Sequence, residues 1–383
     1  MKILHILNDV TDRGNGIVHA AIDLAAGQVV RGHTVAIVSS GGGLQPLLER
    51  AGIQHLNLEH SRNPLGFIKA FAGLKHHADA FRPDIVHAHV RMGVILGWLL
   101  SKISDRPLVA HLHNIHEKES LLMGLADRVI AVSTSVASTI SEQGIPQRRI
   151  RVVLNGPLGS PRMSAFSQVD PVDLTRPAIV TVCGMNHRKG IADLLTAFDQ
   201  IASQITSVNL YLVGDGPDIE TFKHQAQLSP YRDRIHFEGC QTIPQRYMSA
   251  CDVFVLASRR ESFGLALLEA REVGCAIVAS NIDGIPEALD EGHAGILFKP
   301  TDTSALAEIS LRLLNNSVER LALRARARSN LEKFHYLTMA KNVDSVYDEL
   351  LMEVPQIEYC RESDPLLPAT QSSCHTSKNH NHR

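Results

Sequence analysis

Short apolar runs built from strand-forming residues alternate with helix-length patterns along most of this chain, and that alternation leaves few folds open to it. The runs are Lys2 to Leu7, Thr34 to Ser39, Asp84 to His89, Pro107 to Leu112 and Arg128 to Val132, then Ala178 to Cys183, Val208 to Gly214, Asp252 to Ala257 and Ala276 to Ser280. A strand apolar on both faces must be covered on both, and crossover helices between parallel strands do this. The pattern predicts an α/β protein with two doubly wound parallel sheets. Between the two sets, PLGSPRMSAFSQVDPVDLTRP (Pro157 to Pro177) is rich in Pro and Ser and has no clear period, as a linker would be. The expected organisation is a first domain over 1–156, a linker over 157–177 and a second domain over 178–335. A terminal helix over 336–353 is expected to turn back toward the first domain, followed by a disordered tail over 354–383. The tail carries Cys374, His375, His380 and His382, which we read as an unstructured His-rich segment rather than a metal site.

Charge and composition remove several function classes. With 38 basic and 40 acidic side chains the formal charge is −2, which offers nucleic acid no basic stripe. No apolar run approaches the ~20 residues of a membrane span, and the strand-like KILHIL stands where a signal peptide would, so a soluble cytoplasmic protein is expected. The six cysteines form no CxxC pair and read as small buried hydrophobes.

In doubly wound sheets ligands sit beyond the carboxyl ends of the strands, so the chemistry belongs in the turns there. After the first strand, NDVTDRGNGIVHAAIDLAA places Gly14 and Gly16 before a helix. A dinucleotide fingerprint would need a third small residue where His19 stands, and an acid closing the second strand where Ser39 and Ser40 stand. What survives is a glycine turn that lets a ligand approach backbone. His87 and His89 end one strand and His111, His113 and His116 follow in the next stretch; histidines at alternate positions on a strand share a face, so either pair could chelate zinc. No Cys, Asp or third His is expected to complete a closed set, and His113, at its strand end, reads as a polar residue lining a cleft.

In the second half, CGMNHRKGIADLLTAF sets Arg188 and Lys189 in a strand-to-helix turn, a compact anion site. Further on, SRRESFGLALLEAREVG places Glu261 in a turn, Ser262, Phe263, Gly264 and Leu265 at a helix N-terminus, and Glu269 inside the helix. The unpaired N–H groups of a first helical turn form a phosphate site. Glu269 follows Ser262 by about two turns and shares its face. A nucleoside diphosphate has a matching shape, with phosphates at the helix tip and ribose hydroxyls two turns along.

These residues, with their surroundings, resemble the retaining nucleotide-sugar glycosyltransferases of family 4. The specific mark is E-x7-E, Glu261 to Glu269 in ESFGLALLE, followed by NIDGIPEAL and AGILF; RGHTVAIVSS, PDIVHAH, ADRVIAVSTSV, VVLNG, KGIADLL and LVGDGP support it in order. The resemblance spans residues 1 to about 352. It implies the GT-B fold, two Rossmann-like domains facing each other across a cleft. It implies that Lys189 belongs to the phosphate loop, that Glu269 holds the ribose, and that Glu261 and His113 face the donor sugar. The backbone around Gly14, Gly16, Gly184, Ser262, Phe263, Gly264 and Leu265 would cradle the donor. Three positions depart from the family: Met185 where Arg usually follows the strand-end glycine, a charge we expect Arg188 to supply; the glycine pair split as Gly14-Asn15-Gly16; and Ala257-Ser258 for Pro-Ser.

No Asp-x-Asp occurs in the chain, so the leaving diphosphate is expected to be neutralised by Arg188, Lys189 and helix-tip amides without a metal. The reaction implied is transfer of a hexose, with retention, from a UDP- or GDP-sugar to a hydroxyl of a sugar or lipid-linked glycan, in surface polysaccharide or glycolipid synthesis. An epimerase on the same fold and a catalytically silent nucleotide binder are the competing readings. Finally, FIKAFAGLKHHADAF places Phe67, Phe71, Leu74 and Phe81 on one helical face with Lys69, Lys75 and His76 elsewhere. That predicts weak peripheral contact with the inner face of a membrane, against the plainer reading of a core helix.

Overall fold

The computed structural model describes residues 1–11, 15–59, 63–114, 118–163 and 170–353. The first half runs β1 (Lys2–Ile6), α1 (Gly16–Val30), β2 (Thr34–Ser39), α2 (Gln45–Arg50), β3 (Gln54–Asn57), α3 (Pro64–Phe81), β4 (Ile85–Ala88), α4 (Arg91–Ser101), β5 (Leu108–Leu112), β6 (Arg128–Ala131), α5 (Thr134–Glu142) and β7 (Ile150–Val152). The second runs β8 (Ala178–Val182), α6 (Ile191–Ala202), β9 (Asn209–Val213), α7 (Ile219–Gln227), β10 (Ile235–Gly239), α8 (Gln245–Ala250), β11 (Val253–Leu256), α9 (Leu265–Val273), β12 (Ile277–Ser280), α10 (Ile285–Ala288), β13 (Ile296–Phe298), α11 (Thr303–Asn315) and α12 (Ser317–Ala327). Helix α13 (Tyr336–Glu353) ends the described chain.

The sheet orders are β3-β2-β1-β4-β5-β6-β7 and β10-β9-β8-β11-β12-β13, and the paired strands run parallel, as β1 does with both β2 and β4. Each sheet reverses its winding once, between β1 and β4 in the first and between β8 and β11 in the second. Loops part to opposite sides at such a point and leave a crevice at the strand ends. The interior strands are fully buried, as in β4, β5, β6 and β11, which is why their sequences are apolar but for His87, His111 and Arg128.

Four strands lie outside the apolar runs picked from the sequence: β3, β7, β10 and β13. All four are sheet edges. Helix α13 covers the first sheet beside α1, where a Cβ on Gly27 would stand 2.8 Å from the Ala340 Cβ and from the Tyr336 carbonyl oxygen. Residues Pro157 to Met163 are not loose coil: Leu158 and Met163 are buried, and the Leu158 carbonyl accepts from the Tyr336 N–H at 3.0 Å at the root of α13.

The apolar stripe on α3 from which a membrane face was expected packs largely against the core. Leu74 is buried and Phe67, Phe71 and Phe81 pack against the core, while the exposed apolar residues on this helix are Leu65 and Ile68. The apolar stripe therefore stabilises the fold by burial, and the argument for a membrane contact falls with it. No described helix is long and apolar enough to cross a membrane. Cys251 and Cys275 are buried, Cys183 is half-buried and Cys240 is exposed, all as free thiols. The tail over 354–383 and its histidines lie outside the described residues, as do Gly14 and His116.

Candidate active site

A cleft of about 1010 Å³ opens between the strand ends of the two halves. Gly16, His113, Gly184, Arg188, Lys189, Glu261, Ser262, Phe263, Gly264, Leu265 and Glu269 all line it. Two helices start there face to face: a Cβ on Gly16, the first residue of α1, would sit 3.5 Å from Leu265 Cδ1, at the start of α9. Asn15 caps α1, its Oδ1 accepting from the Ile17 N–H at 3.1 Å. No side chain caps α9, so its leading amides and the positive end of its dipole are left to the cleft.

Backbone packing aims the turn after β8. Gly190 has φ 65°, and a Cβ there would lie 1.9 Å from the Ala257 carbonyl oxygen, so only glycine brings this turn against the end of β11. The Arg188 carbonyl then accepts the Arg259 N–H at 2.7 Å. Arg259 itself forks onto Asp193 with two bonds of 2.7 Å, which locks the two turns together. Lys189 reaches Glu261, which also accepts from the Ser258 hydroxyl at 3.3 Å. Arg188 donates across the cleft to Asn114 Oδ1 at 3.4 Å. Met185, at the family's usual arginine position, is fully buried in the second core, which leaves Arg188 and Lys189 as the cations of this turn that line the cleft.

Glu269 is buried, 7% exposed, with its Oε2 accepting from Gln245 at 3.2 Å and its Oε1 3.7 Å from an Arg162 nitrogen. Arg162 also forks onto Asp23 of α1, at 3.0 to 3.3 Å. Burial pushes both carboxyls up, and the Arg162 guanidinium opposes this in each. Thus one arginine from the segment joining the halves ties α1 to α9 through two buried carboxylates. The sequence reading missed Arg162, Asp23, Gln245 and Asn114. Nothing in their spacing announces them, since each meets the site only through tertiary packing.

The histidines converge further than their spacing suggested. His5 on β1 pairs in register with His87 on β4, and His5, His87, His89, His111 and His113 stack as near-parallel rings on the face covered by α1 and α13. His5 supplies the third imidazole thought absent, and two groups of three, His5–His87–His89 and His89–His111–His113, bring ligand atoms within 4.8 Å of one another. The His87 and His89 planes differ by 6° and those of His111 and His113 by 19°, so in-plane lone pairs run side by side instead of meeting. The nitrogens that do meet are in mutual contact, His5 Nδ1 with His89 Nε2 at 2.8 Å and His89 Nδ1 with His113 Nε2 at 3.0 Å, so an ion about 2.0–2.1 Å from each would have to replace those hydrogen bonds. Burial depresses all five, His5 to about 4 and His113 to about 3.

Two family models match the chain: one described as glycosyl transferases group 1 over residues 164–333, the other as Glycosyltransferase Family 4 over residues 14–156. Among curated proteins, an N-acetyl-alpha-D-glucosaminyl L-malate synthase of Bacillus anthracis is 27% identical over 233 residues, 60% of this chain and 61% of the relative. A glycogen synthase of Mycobacterium tuberculosis is 28% identical over 291 residues, 70% of this chain and 69% of the relative. Among solved structures, Anabaena HepE in complex with UDP-glucose superposes with a TM-score of 0.78 at 22% identity, covering 91% of this chain and all of that one. At that identity the likeness speaks for the fold.

Proposed function

The chain belongs to the group 1, family 4 glycosyltransferases, and from that premise we propose that it moves a hexose from a nucleoside diphosphate sugar to an acceptor hydroxyl with retention at the anomeric carbon. The step needs no divalent metal. One observation carries the reading: Arg188, Lys189 and the uncapped tip of α9 converge on the same wall of the cleft as Glu261 and Glu269. A diphosphate arriving at the α9 tip meets backbone amides and two cations, which is charge stabilisation of a leaving group without an ion. Lys189 leaves its partner Glu261 for the phosphates, and Glu261 is freed to orient the sugar. Glu269, two turns along the helix, accepts from the ribose hydroxyls. HepE, the solved structure compared above, holds UDP-glucose, and a UDP-hexose is the donor we assign. The acceptor hydroxyl belongs to a growing glycan, and the departing phosphate oxygen takes its proton on the same face of the sugar as it leaves.

A screen of UDP- and GDP-sugars by thermal shift in EDTA tests the donor assignment. A UDP-hexose is expected to raise the melting temperature, whereas stabilisation that appears only on adding a divalent cation contradicts the metal-free reading. Incubation with donor alone separates the competing enzyme class: an epimerase changes the sugar, and a transferase gives at most slow hydrolysis.

A further inference from the structure

The buried histidines form a single hydrogen-bonded line that starts in the cleft. His113 Nε2 meets His89 Nδ1 at 3.0 Å, His89 Nε2 meets His5 Nδ1 at 2.8 Å, and His5 Nε2 meets Gln28 Oε1 at 2.7 Å. The Gln28 amide donates to the Tyr347 hydroxyl at 3.2 Å, and that hydroxyl contacts His87 Nδ1. Gln28 comes from α1 and Tyr347 from α13, the two helices that cover this face.

A neutral imidazole carries one N–H and one lone pair, so fixing either nitrogen fixes the other. At the far end the Gln28 amide nitrogen donates to the Tyr347 oxygen, which leaves the phenol proton to be donated to His87 Nδ1. The Gln28 oxygen therefore faces His5 and must accept, which places the proton of His5 on Nε2 and its lone pair on Nδ1. His89 must then donate from Nε2 and accept at Nδ1, and His113 must donate from Nε2. The polarity passes through three rings with no freedom left at any of them. What remains is His113 Nδ1, buried and with no partner among the described residues, on the member of the line that lines the cleft.

We propose that Gln28, His5 and His89 are positioning residues that hold His113 in its Nε2–H tautomer, so that it meets the donor sugar as a neutral hydrogen-bond acceptor at Nδ1. This rests on the reading of the cleft as a nucleotide-sugar site. An acceptor nitrogen is matched by a sugar hydroxyl, whose O–H donates, and is mismatched by a carboxylate, which brings only lone pairs and charge. The line therefore selects nucleoside diphosphate hexoses over the corresponding uronic acids and excludes His113 as a proton donor in the reaction.

The test is a long-range ¹H–¹⁵N correlation spectrum of the full chain labelled at its imidazole nitrogens, recorded without ligand at pH 7.5. The expected result is Nε2–H with an unprotonated Nδ1 at His113, His89 and His5 together. An Nδ1–H signal at His113, or a cation there, overturns the proposal, and this readout stands whether or not the protein turns over any nucleotide sugar. The second arm is Gln28→Leu, which removes the acceptor at the end of the line. It should give a mixture of tautomers at His113 and about a tenfold fall in kcat/KM for the UDP-hexose, the effect of one lost neutral hydrogen bond, with UDP affinity unchanged. A single unaltered tautomer at His113 in a folded Gln28→Leu protein also overturns it, and if that variant does not fold, the wild-type spectrum decides alone.

Discussion

The stacked histidines should make this protein acid-labile in a way that can be calculated. In the unfolded chain each imidazole protonates near its ordinary value of 6.5. In the fold, burial holds His5 down to about 4 and His113 down to about 3, with His87, His89 and His111 lowered as well. The unfolded state therefore binds more protons below pH 6.5, so the stability these groups permit is complete above 6.5 and is lost as pH falls toward their folded values. Each group held neutral costs about 1.4 kcal/mol per pH unit in that window, so His5 and His113 together cost about 3 kcal/mol at pH 5.5, and the raised carboxyls of Asp23, Glu269 and Glu272 offset part of it. That is a sizeable share of the stability of an ordinary fold, about 5–15 kcal/mol. Urea unfolding followed by circular dichroism from pH 8 to pH 5 should show a level midpoint above pH 7 and a fall below 6.5. His111→Leu provides an internal control. Neither ring nitrogen of His111 has a partner among the described residues, so the change sacrifices no hydrogen bond there and should reduce the slope by about 1.4 kcal/mol per pH unit. A midpoint that stays level from pH 7.5 to 5.5 would show that the rings are not held neutral and would refute the reasoning.

Lys189→Ala should weaken UDP by about ten- to a hundredfold, the equivalent of one charge-assisted hydrogen bond, while uridine binding stays within about twofold; calorimetry on both ligands checks it. Glu261→Gln frees Lys189 from its present partner, so UDP should bind as tightly or tighter while kcat falls strongly, and a loss of UDP affinity in this variant would remove Glu261 from the sugar side. Glu269→Gln should weaken UDP and uridine alike and raise the donor KM more than it lowers kcat, the opposite profile. Flotation with anionic vesicles at low salt should leave the protein at the bottom of the gradient, because the phenylalanines of α3 are packed inward.

How far the amino-acid sequence spoke depended on what each residue was required to satisfy. Interior strands such as β4 and β11 need apolar side chains on both faces, and that demand is visible as an apolar run, broken in β4 only by His87. The edge strands β3, β7, β10 and β13 have one flank in solvent, so QHLN or IHFEG carries no comparable mark; β10 is half-buried along its whole length. Backbone requirements were legible too, since Gly190 and Gly264 sit at positive φ at two helix starts. The phosphate-side residues could be named because a turn and the helix after it are contiguous in sequence. Arg162 and Asp23 could not, because 139 positions separate them and only the docking of the two halves brings them together. His5 was hidden for a related reason: strand order, not spacing, puts β1 beside β4. On α3 the period located the apolar face correctly, but an apolar face on a helix can meet a core or a membrane, and only the packing distinguishes them.

Retention without a metal is the central claim, and water can stand in for the acceptor in testing it. The protein is incubated with UDP-[1-¹³C]glucose in EDTA, and the glucose released by slow hydrolysis is followed by ¹³C NMR from the first minutes, before mutarotation mixes the anomers. The account predicts that α-glucose appears first and that its release falls sharply in Lys189→Ala. β-Glucose appearing first, or release that begins only when a divalent cation is added, would contradict it.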